Sequence, residues 1–306
     1  MSLQRLSMKK LISSICALVV LVACKNETAI PENRTWEFDK VIPLDNVNPI
    51  GIAIDGEAIY LSDGDNNRVV KVDANGKILL EYDGFERPMH IDYGKPVAQI
   101  TDKLASSALN EAALFVPEYG RDSIAVITGK KRRYLVLNDS LDAPAAISVY
   151  ENEIALADFY NHRILYYNGT EWISFGTEGK ELGMFYYPTD VQITKDAIYV
   201  ADAYNNRGQV FDKKGKVIAA FGKEQKMNAA TGIYVTATEI YLTDFEHKRV
   251  LVFNKDYSLK QELKTNVNKP TDVIVVDGKL LITDYGNGTL VQYKSVPVAT
   301  TTAAKE

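Results

Sequence analysis

One phrase recurs along this chain roughly every forty residues, and it constrains the fold more than any other feature. Each copy is an apolar segment, an acidic residue, a polar turn, Asn and Arg, then a second apolar segment. The first reads Ile59-Tyr60-Leu61-Ser62-Asp63-Gly64-Asp65-Asn66-Asn67-Arg68-Val69-Val70. It returns as Ile154-Ala155-Leu156-Ala157-Asp158-Phe159-Tyr160-Asn161-His162-Arg163-Ile164-Leu165, as Asp202-Ala203-Tyr204-Asn205-Asn206-Arg207 and as Asp244-Phe245-Glu246-His247-Lys248-Arg249. A decayed copy runs Asp284-Tyr285-Gly286-Asn287-Gly288-Thr289. The acids at 158, 202, 244 and 284 are 44, 42 and 40 residues apart, and the 95 residues between Asp63 and Asp158 leave room for one more copy. Leu114-Phe115-Val116-Pro117-Glu118-Tyr119-Gly120-Arg121 fills it, with Glu118 in the acidic place. The repeats number six. Each also opens on a proline, at 49, 88, 144, 188 and 270, with Ala230 in the remaining place.

Within a unit the apolar segments are rich in Val, Ile, Tyr and Phe and too short for helices. Thr189–Ile193, Ala197–Ala201, Gln209–Phe211 and Lys216–Phe221 read as four strands, with polar turns such as Asp212-Lys213-Lys214-Gly215 between them. Six four-stranded sheets repeated about an axis make an all-β six-bladed β-propeller, which leaves only short edges. The sixth unit supplies Thr271–Val276, Lys279–Thr283 and Thr289–Tyr293 but lacks a fourth strand. A strand-like stretch, Thr35–Leu44, precedes the first unit and is expected to complete the last blade, closing the ring. The propeller is then expected over 35–294, with a disordered tail over 295–306. The second unit carries an insertion around 95–110, the one segment that could form a short helix.

The phrase Asp-x-x-Asn-x-Arg followed by Val or Ile, in units ending on Phe-Gly (Phe175-Gly176, Phe221-Gly222), resembles the NHL repeat. The resemblance covers about 49–294 and is specific in blades one, three, four and five. It implies an NHL/TolB-like propeller, a fold used as a binding scaffold. Some six-bladed relatives, the peptidyl-hydroxyglycine amidating lyases, hold zinc with channel-side histidines.

The N-terminus reads as an address. Met8-Lys9-Lys10 precedes the apolar run Leu11 to Ala23, too short for a mature membrane helix but suited to a signal peptide. It ends Leu21-Val22-Ala23-Cys24, which resembles the lipobox of bacterial lipoproteins. Residues 1–23 are expected to be removed and Cys24 lipidated, leaving 24–34 as a tether to a membrane, with Lys25 favouring the outer membrane of a Gram-negative cell. The mature chain keeps 32 basic against 40 acidic residues and no cysteine but Cys24. A disulfide, a cysteine nucleophile and a thiolate metal site are excluded by that count. With no concentrated basic face, the chain is not expected to bind nucleic acid.

In a propeller the link into each innermost strand and the turn between strands two and three share one face. Counting two residues past each opening proline, or its counterpart, gives Gly51, His90, Ala146, Asp190, Gly232 and Asp272. His90, Asp190 and Asp272 would meet at the channel mouth, where imidazole and carboxylates could hold one divalent ion, Zn or Ca; the same Asp residues could instead bond the backbone of their own turns. The turns carry aromatic rings, among them Tyr119 and Phe159, and amides suited to a glycan or an extended peptide, the candidates being Tyr160, Asn161, His162, Tyr204, Asn205, Phe245, His247 and Tyr285. Catalytic signatures such as Gly-x-Ser-x-Gly, His-Glu-x-x-His and the Rossmann fingerprint are missing. The expected function is therefore a membrane-anchored, non-enzymatic, cofactor-free binding or scaffold module for an envelope protein, peptide or glycan. The alternative is a metal-dependent enzyme of the amidating-lyase or lactonase type, its site at the channel mouth.

Overall fold

The computed structural model describes residues 34–298, apart from 57, 97, 103 and 104. The expected signal peptide, Cys24 and most of the tether lie outside the described residues, as do the last eight positions of the tail. Six antiparallel sheets stand in a ring, and the first strand of each touches the first strand of the next, the sixth meeting the first. Blade one comprises Pro49–Asp55, Ala58–Asp63, Arg68–Val72 and Ile78–Asp83. Blades three, four and five repeat this order from Pro144–Tyr150, Pro188–Ile193 and Ala230–Val235. Among the described residues the only helical pieces are three-residue 3-10 turns, and no helix is long and apolar enough to cross a membrane. The core lies between sheets, as in the cluster where Phe185, Phe211, Ile198 and Val200 of blade four meet Ala155, Ile164 and Tyr166 of blade three.

The ring closes as the sequence predicts. Arg34–Pro43 pairs antiparallel with Thr289–Pro297 along the whole length of both, so the N-terminal strand is the outermost of blade six. The closing pair runs to Pro297, three residues past the expected end of the domain. Trp36 anchors it, buried against Tyr241 of blade five, with its backbone N–H and C=O both bonded to the Gln261 side chain.

The 95–110 insertion is not helical. It forms two strands, Ala98–Asp102 and Ala105–Leu109, and the first pairs with the blade's fourth strand, Lys131–Leu135. Its alanines and leucines favour helix in isolation, but the open backbone edge of blade two offers a ladder of hydrogen bonds, and that context decides. Blade two thereby becomes six-stranded.

The repeated phrase is a clasp. In all six blades the opening residue (Pro49, Pro88, Pro144, Pro188, Ala230 or Pro270) pairs across the sheet with the blade's acid, which puts both sets of residues on one face. The acids are fully buried and accept backbone N–H groups from the loop leading into their own blade: Asp158 from Asp142, Asp202 from Tyr186, Asp244 from Asn228. Arg68, Arg163, Arg207 and Arg249 bind their repeat acids through Nε at 2.7–2.9 Å and reach that loop's carbonyls. The residue four places after each acid has positive φ (Asn67, Asp122, His162, Asn206, Lys248, Gly288). Asn67, Asp122, His162 and Asn206 each accept the N–H of the residue just before the next blade's opening position. Asp–Arg pairs therefore fix the approaches to blades one, three, four and five, and in blades one to four this fourth residue fastens the blade to its neighbour.

Candidate functional site

Two features share the face that bears these turns. The first is at the mouth of the channel. The ring of positions two past the opening residues alternates small and polar: Gly51, His90, Ala146, Asp190, Gly232, Asp272. The small residues sit where the neighbouring polar strand comes closest. A Cβ on Gly51 would lie 2.6 Å from the His90 Cα, and one on Gly232 would lie 2.3 Å from the Thr271 carbonyl oxygen. Ala146 bridges His90 in parallel register.

His90, Asp190 and Asp272 converge as the sequence predicts, one ligand atom from each lying within 4.8 Å of the others. His90 Nδ1 is 3.4 Å from Asp272 Oδ2 and 3.8 Å from Asp190 Oδ2, and it is buried without a hydrogen-bond partner. Both acids also serve the turns, as the simpler reading held. Asp190 accepts the N–H of Val191 at 2.8 Å and of Ile233, in the next blade, at 2.7 Å. Asp272 accepts those of Val273 at 2.7 Å and Ile52 at 3.0 Å. Asp92, which the sequence reading did not single out, does the same one step deeper, with Tyr93 and Val149. Three acids from alternate blades thus staple the inner strands of consecutive blades together. Burial pushes Asp92 up to about 7 and Asp190 likewise to about 7, where the His90 charge opposes the rise and Asp272 adds to it. For His90, burial disfavours the charged ring, but the Asp190 and Asp272 carboxylates outweigh it and raise the pKa.

The second feature is a crescent of rings over blades two to four. Tyr119 meets Phe159 and Tyr160; both meet Tyr187; Tyr187 meets Tyr186 and Tyr204, and His162 lies flat against Tyr186. Neighbouring centroids are 4.5–5.9 Å apart. Tyr160 and Tyr204 stand out, 47% and 62% exposed. Tyr186 and Tyr187 are the members the sequence reading passed over. They lie in the loop before Pro188 rather than in a repeat turn, and the adjacent pair of tyrosines ahead of an opening proline was the available signal.

The remaining candidates have partners of their own, and of these His162 belongs to the crescent while the Phe245 and Tyr285 rings meet at 6.5 Å. Asn161 and Asn205 donate through Nδ2 to their own repeat acids, each at 2.9 Å. His162 Nδ1 is occupied by the Tyr187 N–H at 3.1 Å. His247 Nδ1 lies 3.1 Å from Asp244 Oδ2, and its ring lines an open cleft of ≈ 320 Å³ with Gln225, Lys226, Arg249 and Lys264. Phe245 lies under the Lys269 ammonium, and the Tyr285 hydroxyl donates to Asp65. The three histidines are therefore not gathered at one point.

The architecture defines the class, a six-bladed β-propeller with a polar channel mouth and an aromatic crescent beside it. Among solved structures, the chain is similar to a gluconolactonase of Xanthomonas campestris, at 14% identity, TM-score 0.61, covering 86% of this chain and all of that one. It is similar to a catalytically inactive virginiamycin B lyase from Staphylococcus aureus with quinupristin, at 17% identity, TM-score 0.59, covering 87% and 90%. A streptogramin B lyase matches at 13% identity, TM-score 0.59, covering 86% and 98%. No family model and no curated protein sequence matches the chain. At such identities these likenesses speak for the fold.

Proposed function

We propose that this protein is a lipid-anchored lipoprotein of the bacterial envelope, held at the outer membrane through Cys24, whose NHL-type propeller recognises a glycan or extended peptide on its turn-bearing face. The observation that carries the reading is the crescent, seven rings in mutual contact across three blades with Tyr160 and Tyr204 presented outward. Ring faces beside hydroxyl and amide groups bind the apolar face of a sugar or a peptide side chain while bonding its polar edge. The six clasps hold the rings on a rigid ring of sheets, so little ordering cost falls on binding. The test is an array of envelope glycans and peptides probed with the wild-type chain and with a Tyr160→Ala, Tyr204→Ala double variant. The reading expects a ligand class bound by the first and lost by the second, with circular dichroism unchanged. Equal binding by both would reject it.

An enzyme of the lyase or lactonase type is the second reading, favoured by the His90–Asp190–Asp272 cluster and by the names its structural neighbours bear. The recognition reading stands ahead because those three side chains are almost covered, at 3%, 5% and 7% exposure. A substrate has little of their surface to touch, whereas the crescent lies open.

A further inference from the structure

We infer that His90, Asp190 and Asp272 bind one divalent first-row transition-metal ion, zinc foremost, at the mouth of the channel. The inference is independent of the recognition reading. It starts from a departure in the repeat. Blades four and six place an acid two residues past the opening proline, and each acid staples its blade to the next. Blade two needs the same staple but carries it at Asp92, two residues deeper, bonded to Val149. The position at the mouth is thereby left to His90, whose backbone alone meets blade three, its N–H donating to the Ala145 carbonyl at 3.0 Å. Bracing accounts for the acids and for the His90 backbone. It leaves the imidazole, whose Nδ1 faces the Asp272 and Asp190 carboxylates at 3.4 and 3.8 Å.

That imidazole is nevertheless buried, with an unpartnered Nδ1 aimed between two carboxylate oxygens. Nδ1 makes no well-aligned hydrogen bond to either carboxylate, so the three atoms are set as neighbours that one shared partner would join. The two oxygens are prepared for the same partner. Asp190 Oδ2 and Asp272 Oδ2 each accept one N–H and keep a second lone pair, while each Oδ1 is taken by the following residue. The N–H groups lock both carboxylates in place, as outer-shell bonds do for metal ligands.

Size, charge and donor type agree. Bonds of about 2.0–2.1 Å on a tetrahedron put neighbouring ligand atoms roughly 3.3–3.4 Å apart. The observed N···O separations are 3.4 and 3.8 Å and all three ligand atoms lie within 4.8 Å of one another, so closure on an ion draws the three atoms closer together. One dication balances two carboxylates that otherwise share a covered site. One nitrogen and two oxygens suit zinc or a neighbouring transition ion; calcium takes six to eight oxygens, against the two carboxylates of this cluster. Water would fill the remaining position.

The test uses the full-length chain in detergent, dialysed against excess zinc and then against zinc-free buffer, with metal content read by inductively coupled plasma mass spectrometry. The expected result is about one zinc per chain, falling below about a tenth in His90→Ala and in an Asp190→Asn, Asp272→Asn double variant. The asparagines keep an oxygen for the Ile233 and Ile52 N–H groups, which protects folding. Wild-type chain that retains no zinc, or folded variants that retain it, would overturn the inference. If the variants do not fold, cobalt added to wild-type chain decides: visible bands of a four-coordinate nitrogen–oxygen site support it, and the spectrum of the hydrated ion overturns it. Zinc should be unaffected by Tyr160→Ala with Tyr204→Ala, so failure of the metal and failure of the recognition surface are told apart.

Discussion

Replacing Trp36 by alanine tests the closure of the ring where it is most concentrated. Trp36 is 3% exposed and packs edge-on against Tyr241, centroids 6.1 Å apart. An aromatic side chain of this kind buries about 200 Å², and large-to-small changes of buried Trp or Phe cost about 3–5 kcal/mol. Its indole N–H also donates to Glu239 Oε2 at 3.2 Å, but Glu239 keeps the Tyr241 hydroxyl and Lys260, so that loss adds only about 1 kcal/mol. The Gln261 contacts are to the Trp36 backbone and survive. A net cost of about 5 kcal/mol in a domain of this size lowers the melting temperature by about 10 °C or more. Thermal unfolding followed by circular dichroism measures it, with exposed Glu37→Ala on the same strand as a control expected to shift by less than about 2 °C. A Trp36→Ala shift no larger than that of the control would refute the closing role of the strand. Deleting Arg34–Pro43 removes the outer partner of Thr289–Pro297 altogether and should abolish a single cooperative transition.

Three further outcomes follow from the same structure. Gly232→Ala drives a Cβ into backbone of the sixth blade, 2.3 Å from the Thr271 carbonyl oxygen and 2.9 Å from the Asp272 Cα, neither of which can swing aside. It should cost about 1–3 kcal/mol in denaturant unfolding, whereas Gly278→Ala, with nothing within 4 Å but a φ of +72°, should cost about 1 kcal/mol. Asp158→Ala strips the buried partner from Arg163 Nε, the Asn161 amide and the Asp142 N–H at once, while Arg163 keeps Asp139 and the Ser140 carbonyl; the loss should be about 3 kcal/mol, which Asp158→Asn should partly restore. Cys24→Ser should move the protein from the membrane pellet to the soluble envelope fraction on fractionation; retention in the pellet would reject lipid anchoring.

Most of the architecture was legible because its period was. The spacing of the acids marked the blades, and the pairing of opening proline with acid follows from the antiparallel turn between them. The mouth cluster was legible for the same reason, since counting from a fixed point in the repeat finds residues that converge on an axis. What broke the period was harder to read. Asp92 escaped because its staple sits two residues off register, and Tyr186 and Tyr187 because they belong to a lead-in loop whose conformation is set by His162. The blade-two hairpin was hidden by helix-favouring residues whose strand conformation comes from pairing with Lys131–Leu135. The purpose of His162 itself was masked by its type. It does the work of the asparagine at 67 and 206, accepting one N–H from the next blade.

The measurement that tests the recognition surface most directly is a binding isotherm for the strongest array ligand, taken on wild-type chain and on Tyr160→Ala, Tyr204→Ala. Each ring is worth about 0.5–1.5 kcal/mol in such contacts, so removing both should weaken binding about tenfold or more while thermal stability stays within about 2 °C, because both side chains are largely exposed. Dissociation constants equal within error in a protein of unchanged stability would contradict the account.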